Sequence, residues 1–135
     1  MRYLLDTNVI IRYLNDDADT IQLLVTLART ASEPFFVSAV TQMEVWDGVY
    51  RAVNPTQIER EYQAFFDDLT ILPFDSDVAR RGAKLRHDLR QQSIRTRDRA
   101  LDLQIAATAL HHGLELVTYN DQDYDDIAGL RLYQK

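Results

Sequence analysis

Met1-Arg2-Tyr3-Leu4-Leu5-Asp6-Thr7-Asn8-Val9-Ile10-Ile11 is the stretch from which the fold is read. Tyr3 to Leu5 are consecutive apolar residues, the pattern of a short strand covered on both faces. Asp6 follows at once, and Thr7 and Asn8 are turn and helix-cap types. Val9, Ile10, Ile11, Tyr13 and Leu14 then begin an apolar-rich helix. A strand that turns straight into a helix through an Asp sets that carboxylate at the C-terminal edge of a sheet, where open α/β sheets bind ligands. The same Asp also suits a plain helix cap, so the rest of the chain has to decide.

Working outward, short apolar runs alternate with helical patterns. Residues 20–30 carry Ile21, Leu24, Val25 and Ala28 on one face, with Asp19 or Thr20 as the cap, and Phe35 to Ser38 read as a second strand. Val40 to Val49 read as a helix holding Glu44 among Val40, Met43, Val45 and Trp46. Pro55 starts a helix to about Asp68, with Thr56 and Glu59 spaced as a capping box. Thr70 to Phe74 read as a third strand, and Asp75-Ser76-Asp77 cap a helix to about Gln92. A basic loop, Ser93 to Arg99, precedes a helix from Ala100 to His112, which Gly113 stops. Leu114 to Thr118 read as a fourth strand, Asn120 to Asp126 as an acidic turn, and Leu130 to Tyr133 as a short fifth strand. Strands separated by helices imply an α/β fold, with helices on both faces of a short, mostly parallel sheet. No linker, repeat or low-complexity tract divides residues 1–135, so one domain is expected.

The 135 residues are 46% apolar, enough for a core, and contain no cysteine. Disulfides and thiolate metal sites are thereby excluded, and oxygen-ligand chemistry stays open. No apolar run approaches the ~18 residues of a membrane span, and Met1 leads into a strand without a leader pattern. A cytoplasmic protein is expected. The formal charge of −6 argues against nonspecific nucleic-acid binding. Yet eight of the 15 Lys and Arg residues lie between Arg80 and Arg99, a local basic segment in an acidic chain. That segment fits either a solvated helix face or a phosphate backbone.

Carboxylates occupy four informative places: Asp6 after the first strand, Glu44 in an apolar helix, Asp102 in the first turn of Leu101-Asp102-Leu103-Gln104-Ile105-Ala106-Ala107, and the Asn120, Asp121, Asp123 turn after the fourth strand. Asp102 as a helix-terminus charge, worth about 0.3–1 kcal/mol, and Glu44 as half of an ion pair are the structural alternatives. Neither accounts for several acids aimed at one edge. Clustered carboxylates call for a hard divalent cation, Mg²⁺ or Mn²⁺, which suits phosphoryl displacement and reconciles the acidic charge with an anionic substrate. The three histidines do not form a zinc site, and no glycine-rich phosphate loop or nucleophile elbow is present.

MRYLLDTNVIIRYL, VSAVTQMEVWDGV, ALDLQIAATALHHGLELVTYN and DYDDIAGLRLY resemble, in this order, the motifs of PIN-domain proteins, and most of all the VapC-type toxins of bacterial toxin–antitoxin pairs. The resemblance spans nearly the whole chain. It implies a three-layer α/β/α sandwich and a Mg²⁺-dependent endoribonuclease, with Mn²⁺ as a substitute. It implies Asp6, Glu44 and Asp102 as the acidic triad, Asp6 and Asp102 as metal ligands, and Glu44 as the residue that completes the shell or orients water. Thr7, Asn8 and Thr118 match the polar pocket lining. The fourth acidic position falls among Asn120, Asp121 and Asp123, and Asp123-Tyr124 matches the family's Asp-Phe pair. Arg95, Arg97 and Arg99 are expected on the RNA backbone. A homodimer and a small inhibitory antitoxin are implied as partners, with the Val45-Trp46 and Val49-Tyr50 region suited to either contact or to the core. Alternatives are a PIN nuclease of RNA processing without a toxin role and a non-catalytic interaction module. A phosphatase with an Asp nucleophile is disfavoured by Asn8 where a second Asp is wanted.

Overall fold

The computed structural model describes residues 1–135. Five strands, β1 (Tyr3–Leu5), β2 (Phe36–Ser38), β3 (Thr70–Leu72), β4 (Glu115–Val117) and β5 (Arg131–Leu132), alternate with six helices. The helices are α1 (Thr7–Leu14), α2 (Ala18–Thr30), α3 (Ala39–Tyr50), α4 (Pro55–Asp67), α5 (Ser76–Gln91) and α6 (Ala100–His112). The strand order is β3-β2-β1-β4-β5 and every pairing is parallel, with Leu4 opposite both Phe36 and Leu116. The sheet is thus parallel throughout rather than mostly so.

Side chains alternate across a strand, and β1 divides its three residues between two cores. Leu4 packs with Phe36, Leu103, Ala106, Ala109 and Leu116 on the α6 side. Tyr3 and Leu5 pack with Val9, Ile10, Leu24, Leu27, Val37 and Phe66 on the α1–α2 side. Both faces of β1 and β2 are buried, which is why these strands read as unbroken apolar runs. Helix α6 is buried along Leu103 and Ile105 to Ala109. Its small residues admit α5 closely where Gly82 meets Ala107. Gly113 ends α6 at φ 65°, the left-handed conformation expected of it.

Several local expectations are corrected. Asp17, not Asp19 or Thr20, caps α2, with Oδ2 accepting from both the backbone and the hydroxyl of Thr20. The Thr56–Glu59 box does not form: α4 begins at Pro55 behind Asn54, with no side-chain cap. The helix starting at Pro55 puts Thr56 inside its first turn and not at the cap, and proline at the first position lacks one of the N–H groups a helix start leaves unpaired. Phe66 is the buried residue of α4, while Tyr62 and Phe65 are half-buried. Within α3, Val45 and Val49 belong to the core and Trp46 packs on Phe66 at 5.5 Å, whereas Tyr50 is 65% exposed.

Leu116 is fully buried at the centre of the sheet. Leu116→Ala is expected to destabilise the chain by about 2–5 kcal/mol in denaturant unfolding.

Candidate active site

In a parallel sheet all strands end on the same side. The residues that follow β1, β2 and β4 therefore meet at one edge, and Asp6, Ser38 and Thr118 stand there. Asp6 extends the ladder through its N–H to the Val117 carbonyl at 2.9 Å and caps α1. Its Oδ1 accepts from the Thr7 N–H at 2.8 Å. Its Oδ2 accepts from the Thr118 hydroxyl at 2.7 Å, the Tyr124 hydroxyl at 3.1 Å and the Asn8 amide at 3.4 Å. Asn8 is held in turn, its Oδ1 accepting from the Tyr119 N–H. Asp6 is therefore both a helix cap and a member of the cluster.

Asp102, on the first turn of α6, is brought to the same place. The Tyr124 hydroxyl reaches its Oδ1 at 3.3 Å, so the inner oxygens of Asp6 and Asp102 lie within two hydrogen-bond lengths of each other. Glu44 approaches from α3, where its Oε1 accepts from the Thr7 hydroxyl at 2.7 Å. The Thr41 hydroxyl stands 3.0 Å from that of Thr7 and 3.2 Å from that of Ser38, continuing the polar chain into the core. Thr7 thus links Asp6 to Glu44, Asn8 and Thr118 hold Asp6 from the β4 side, and Asp102 is reached by Tyr124 alone.

The fourth position divides. Asn120 is exposed, and its N–H donates to the Thr118 hydroxyl. Asp121 has an enclosed oxygen, Oδ1, without a hydrogen bond, 3.6 Å from the Lys135 ammonium. Asp123 raises the pKa of Asp102 through its charge and lines an open polar cleft with Asp102, Arg95, Arg97 and Asp126. It is the member of the three beside Asp102. The largest concavity lies elsewhere, lined by Tyr13, Leu24, Val25, Phe35 and Phe65, and carries none of these acids.

The arginines separate as well. Arg95 pairs with Asp98 at 2.9 Å in solvent, and Arg97 is exposed. Arg99 is only 16% exposed and grips Asp126 through both terminal nitrogens, which also donate to the Arg95 and Asp123 carbonyls. The Arg99 guanidinium is thus engaged with the acidic turn, whereas Arg95 and Arg97 present theirs to solvent. The sequence marks Tyr124 only as the second member of the Asp123-Tyr124 pair and assigns its hydroxyl no role. Its one signal was a tyrosine directly after Asp123, in the turn that faces Asp102.

Burial pushes the pKa of Asp6 up; Thr118, Thr7 and Tyr124 pull it back, and the charge of Glu44 adds to the rise. Burial likewise pushes Asp102 up, reinforced by Asp6 and Asp123 and opposed by Tyr124 and Arg99. Such a pair is relieved by a cation. As the side chains stand, no three of the Asp, Glu and His residues form a group that would hold an ion. Two carboxylates completed by water are nevertheless the donor set that suits Mg²⁺, which keeps several waters and is bound through one or two carboxylates. Asp102 fits that role, because only its Oδ1 accepts a hydrogen bond.

The PIN domain family model matches residues 3–130. The ribonuclease VapC1 of Rickettsia felis is 34% identical over 101 residues, covering 72% of this chain and 73% of the relative. The tRNA(fMet)-specific endonuclease VapC of Salmonella typhimurium is 25% identical over 132 residues, covering 98% of this chain and 96% of that one. The solved structure of VapBC2 from Rickettsia felis, bound to a DNA fragment from its promoter, superposes with a TM-score of 0.85 at 25% identity, covering 98% of both chains.

The raised carboxylates fix the sign of a pH effect. Above the unfolded Asp value, the native state retains protons that the unfolded chain has lost. The stability that these two groups contribute is therefore fully present below the ordinary carboxylate range and is lost as pH rises through the raised folded values. Asp102→Asn removes one charge and keeps an acceptor for Tyr124. It is expected to raise the melting temperature of the metal-free protein at pH 7, with the gain vanishing near pH 3. Equal melting temperatures at pH 7 would show that the paired charges carry no strain.

Proposed function

The chain belongs to the PIN-domain family, and from that premise we propose that it is a Mg²⁺-dependent endoribonuclease acting as the toxin of a toxin–antitoxin pair. One observation carries the reading. Asp6 and Asp102, from opposite ends of the chain, converge across a single hydroxyl at the C-terminal edge of a parallel sheet. Mn²⁺ is expected to substitute for Mg²⁺.

When bound, a divalent cation held by Asp6 and Asp102 would supply Lewis-acid polarisation of a phosphodiester oxygen and a more acidic attacking water. The chain supplies the remainder. Thr118, Thr7 and Asn8 lock Asp6 in place, so its charge is oriented before substrate arrives. Glu44, anchored by Thr7 through one oxygen, keeps the other to orient the attacking water and take up its proton. Asp123 adds negative charge on the cleft side of Asp102. Arg95 and Arg97 line or border that cleft, and the exposed Arg80, Arg81, Arg86 and Arg90 extend positive charge along α5. These cations offset, locally, the repulsion that a chain of net charge −6 exerts on a polyanion.

A cognate antitoxin is the proposed protein partner. The toxin-antitoxin complex from Klebsiella pneumoniae, similar at TM-score 0.74 and 26% identity, and VapBC-5 from Mycobacterium tuberculosis, a member of the VapBC family of toxin-antitoxin systems similar at TM-score 0.67 and 28% identity, support that reading. A homodimer is proposed on the family resemblance. No helix of the chain is long and apolar enough to cross a membrane.

Asp6→Asn and Asp102→Asn are each expected to lower Mg²⁺-dependent RNA cleavage about a hundredfold or more, with the circular dichroism spectrum unchanged and EDTA abolishing the wild-type reaction. Full cleavage by either variant refutes the assignment. Expression without an antitoxin should arrest growth in the wild type and not in Asp102→Asn; growth unaffected by an active enzyme would indicate RNA processing instead.

A further inference from the structure

Tyr124 is 1% exposed and the largest fully buried side chain of the protein. Its ring packs in the core with Leu4, Ile105, Leu116 and Ile127. Packing alone would be met by phenylalanine, because a buried phenol needs an acceptor. The acceptors it has are the two acids: Asp6 Oδ2 at 3.1 Å and Asp102 Oδ1 at 3.3 Å. No other side chain hydrogen-bonds to both. The two acids differ in what else holds them. Asp6 also accepts from Thr7, Thr118 and Asn8, whereas Tyr124 is the one hydrogen-bond donor to Asp102.

We propose that Tyr124 is a positioning residue for cation binding, whose hydroxyl fixes Asp102 against Asp6 and leaves the second oxygen of Asp102 open to the ion. The inference rests on the reading of Asp6 and Asp102 as the ligands of a divalent cation. One shared proton lies between two like-charged groups and screens the oxygens that face each other. Without it Asp102 has no hydrogen-bonded anchor, and an arriving ion has to order the side chain itself. Donors that orient a ligand from behind typically change metal affinity about 10–100-fold. The ring, by contrast, belongs to the core and is kept by phenylalanine.

Mn²⁺ titrated into the full-length protein, followed by calorimetry and by the loss of its free electron-paramagnetic-resonance signal, separates the possibilities. Wild type is expected to bind the ion and Asp102→Asn to lose it. Tyr124→Phe is expected to bind about tenfold more weakly, with unaltered circular dichroism. The Mn²⁺ concentration giving half-maximal RNA cleavage should rise by the same factor, and excess Mn²⁺ should restore cleavage. A Tyr124→Phe chain that binds Mn²⁺ as tightly as wild type, or more tightly, overturns the proposal and leaves the Asp6–Asp102 reading intact. Wild type that takes up no Mn²⁺ overturns both. A Tyr124→Phe chain that no longer unfolds cooperatively also overturns it, since the hydroxyl would then serve the fold and not the ion.

Discussion

Two carboxylates brought together at the end of a parallel sheet, Asp6 buried and Asp102 half-buried on the wall of an open cleft, set the terms for everything around them. Charges so placed repel each other and resist burial. The fold answers with donors, directing Thr7, Asn8, Thr118 and Tyr124 onto Asp6 and its neighbour. Those donors come from three different segments, so the acids also record the tertiary structure: a slip of β4 against β1 would move Thr118 away from Asp6. The pairing of Leu5 with Val117 is what holds the two in line.

The architecture explains why such a site is affordable in a chain of modest size. Both faces of the central strands are covered, and the two cores on either side of β1 supply apolar burial far from the polar edge. The acids occupy only the ends of elements, where backbone groups at helix starts are free to donate. Asp6 uses one of these groups directly. The basic residues of α5, with Arg95 and Arg97 in the loop after it, lie on exposed surface, where their charges remain hydrated and little depends on whether each is paired.

Much of this was legible in the residues. The run Tyr3 to Leu5 followed by Asp6 located β1, the edge and one acid together, because a strand buried on both sides has no polar positions to confuse the pattern. Helix α6 was readable for a similar reason: alanines all around its circumference leave Asp102 as the anomaly. Local capping was less legible. Asp17, Asp19 and Thr20 are all capping types, and only the path of the turn before α2 selects among them. Thr56 and Glu59 have the spacing of a box, but the helix starts at Pro55 and leaves Thr56 inside the first turn, past the cap position. Arg99 could not be told from Arg95 and Arg97 by type. Its partner Asp126 is remote in sequence and reaches it only through the fold of the acidic turn. Tyr124 stood out only as the neighbour of Asp123, because a phenol looks like core until the position of its oxygen is known.

The grip of Arg99 has a mechanical consequence. Its four terminal N–H groups all engage acceptors, tying the start of α6 to the turn that carries Asp123 and Asp126. Helix and turn then behave as one riveted plate, and the rim of the pit is stiff where a looser loop would flex.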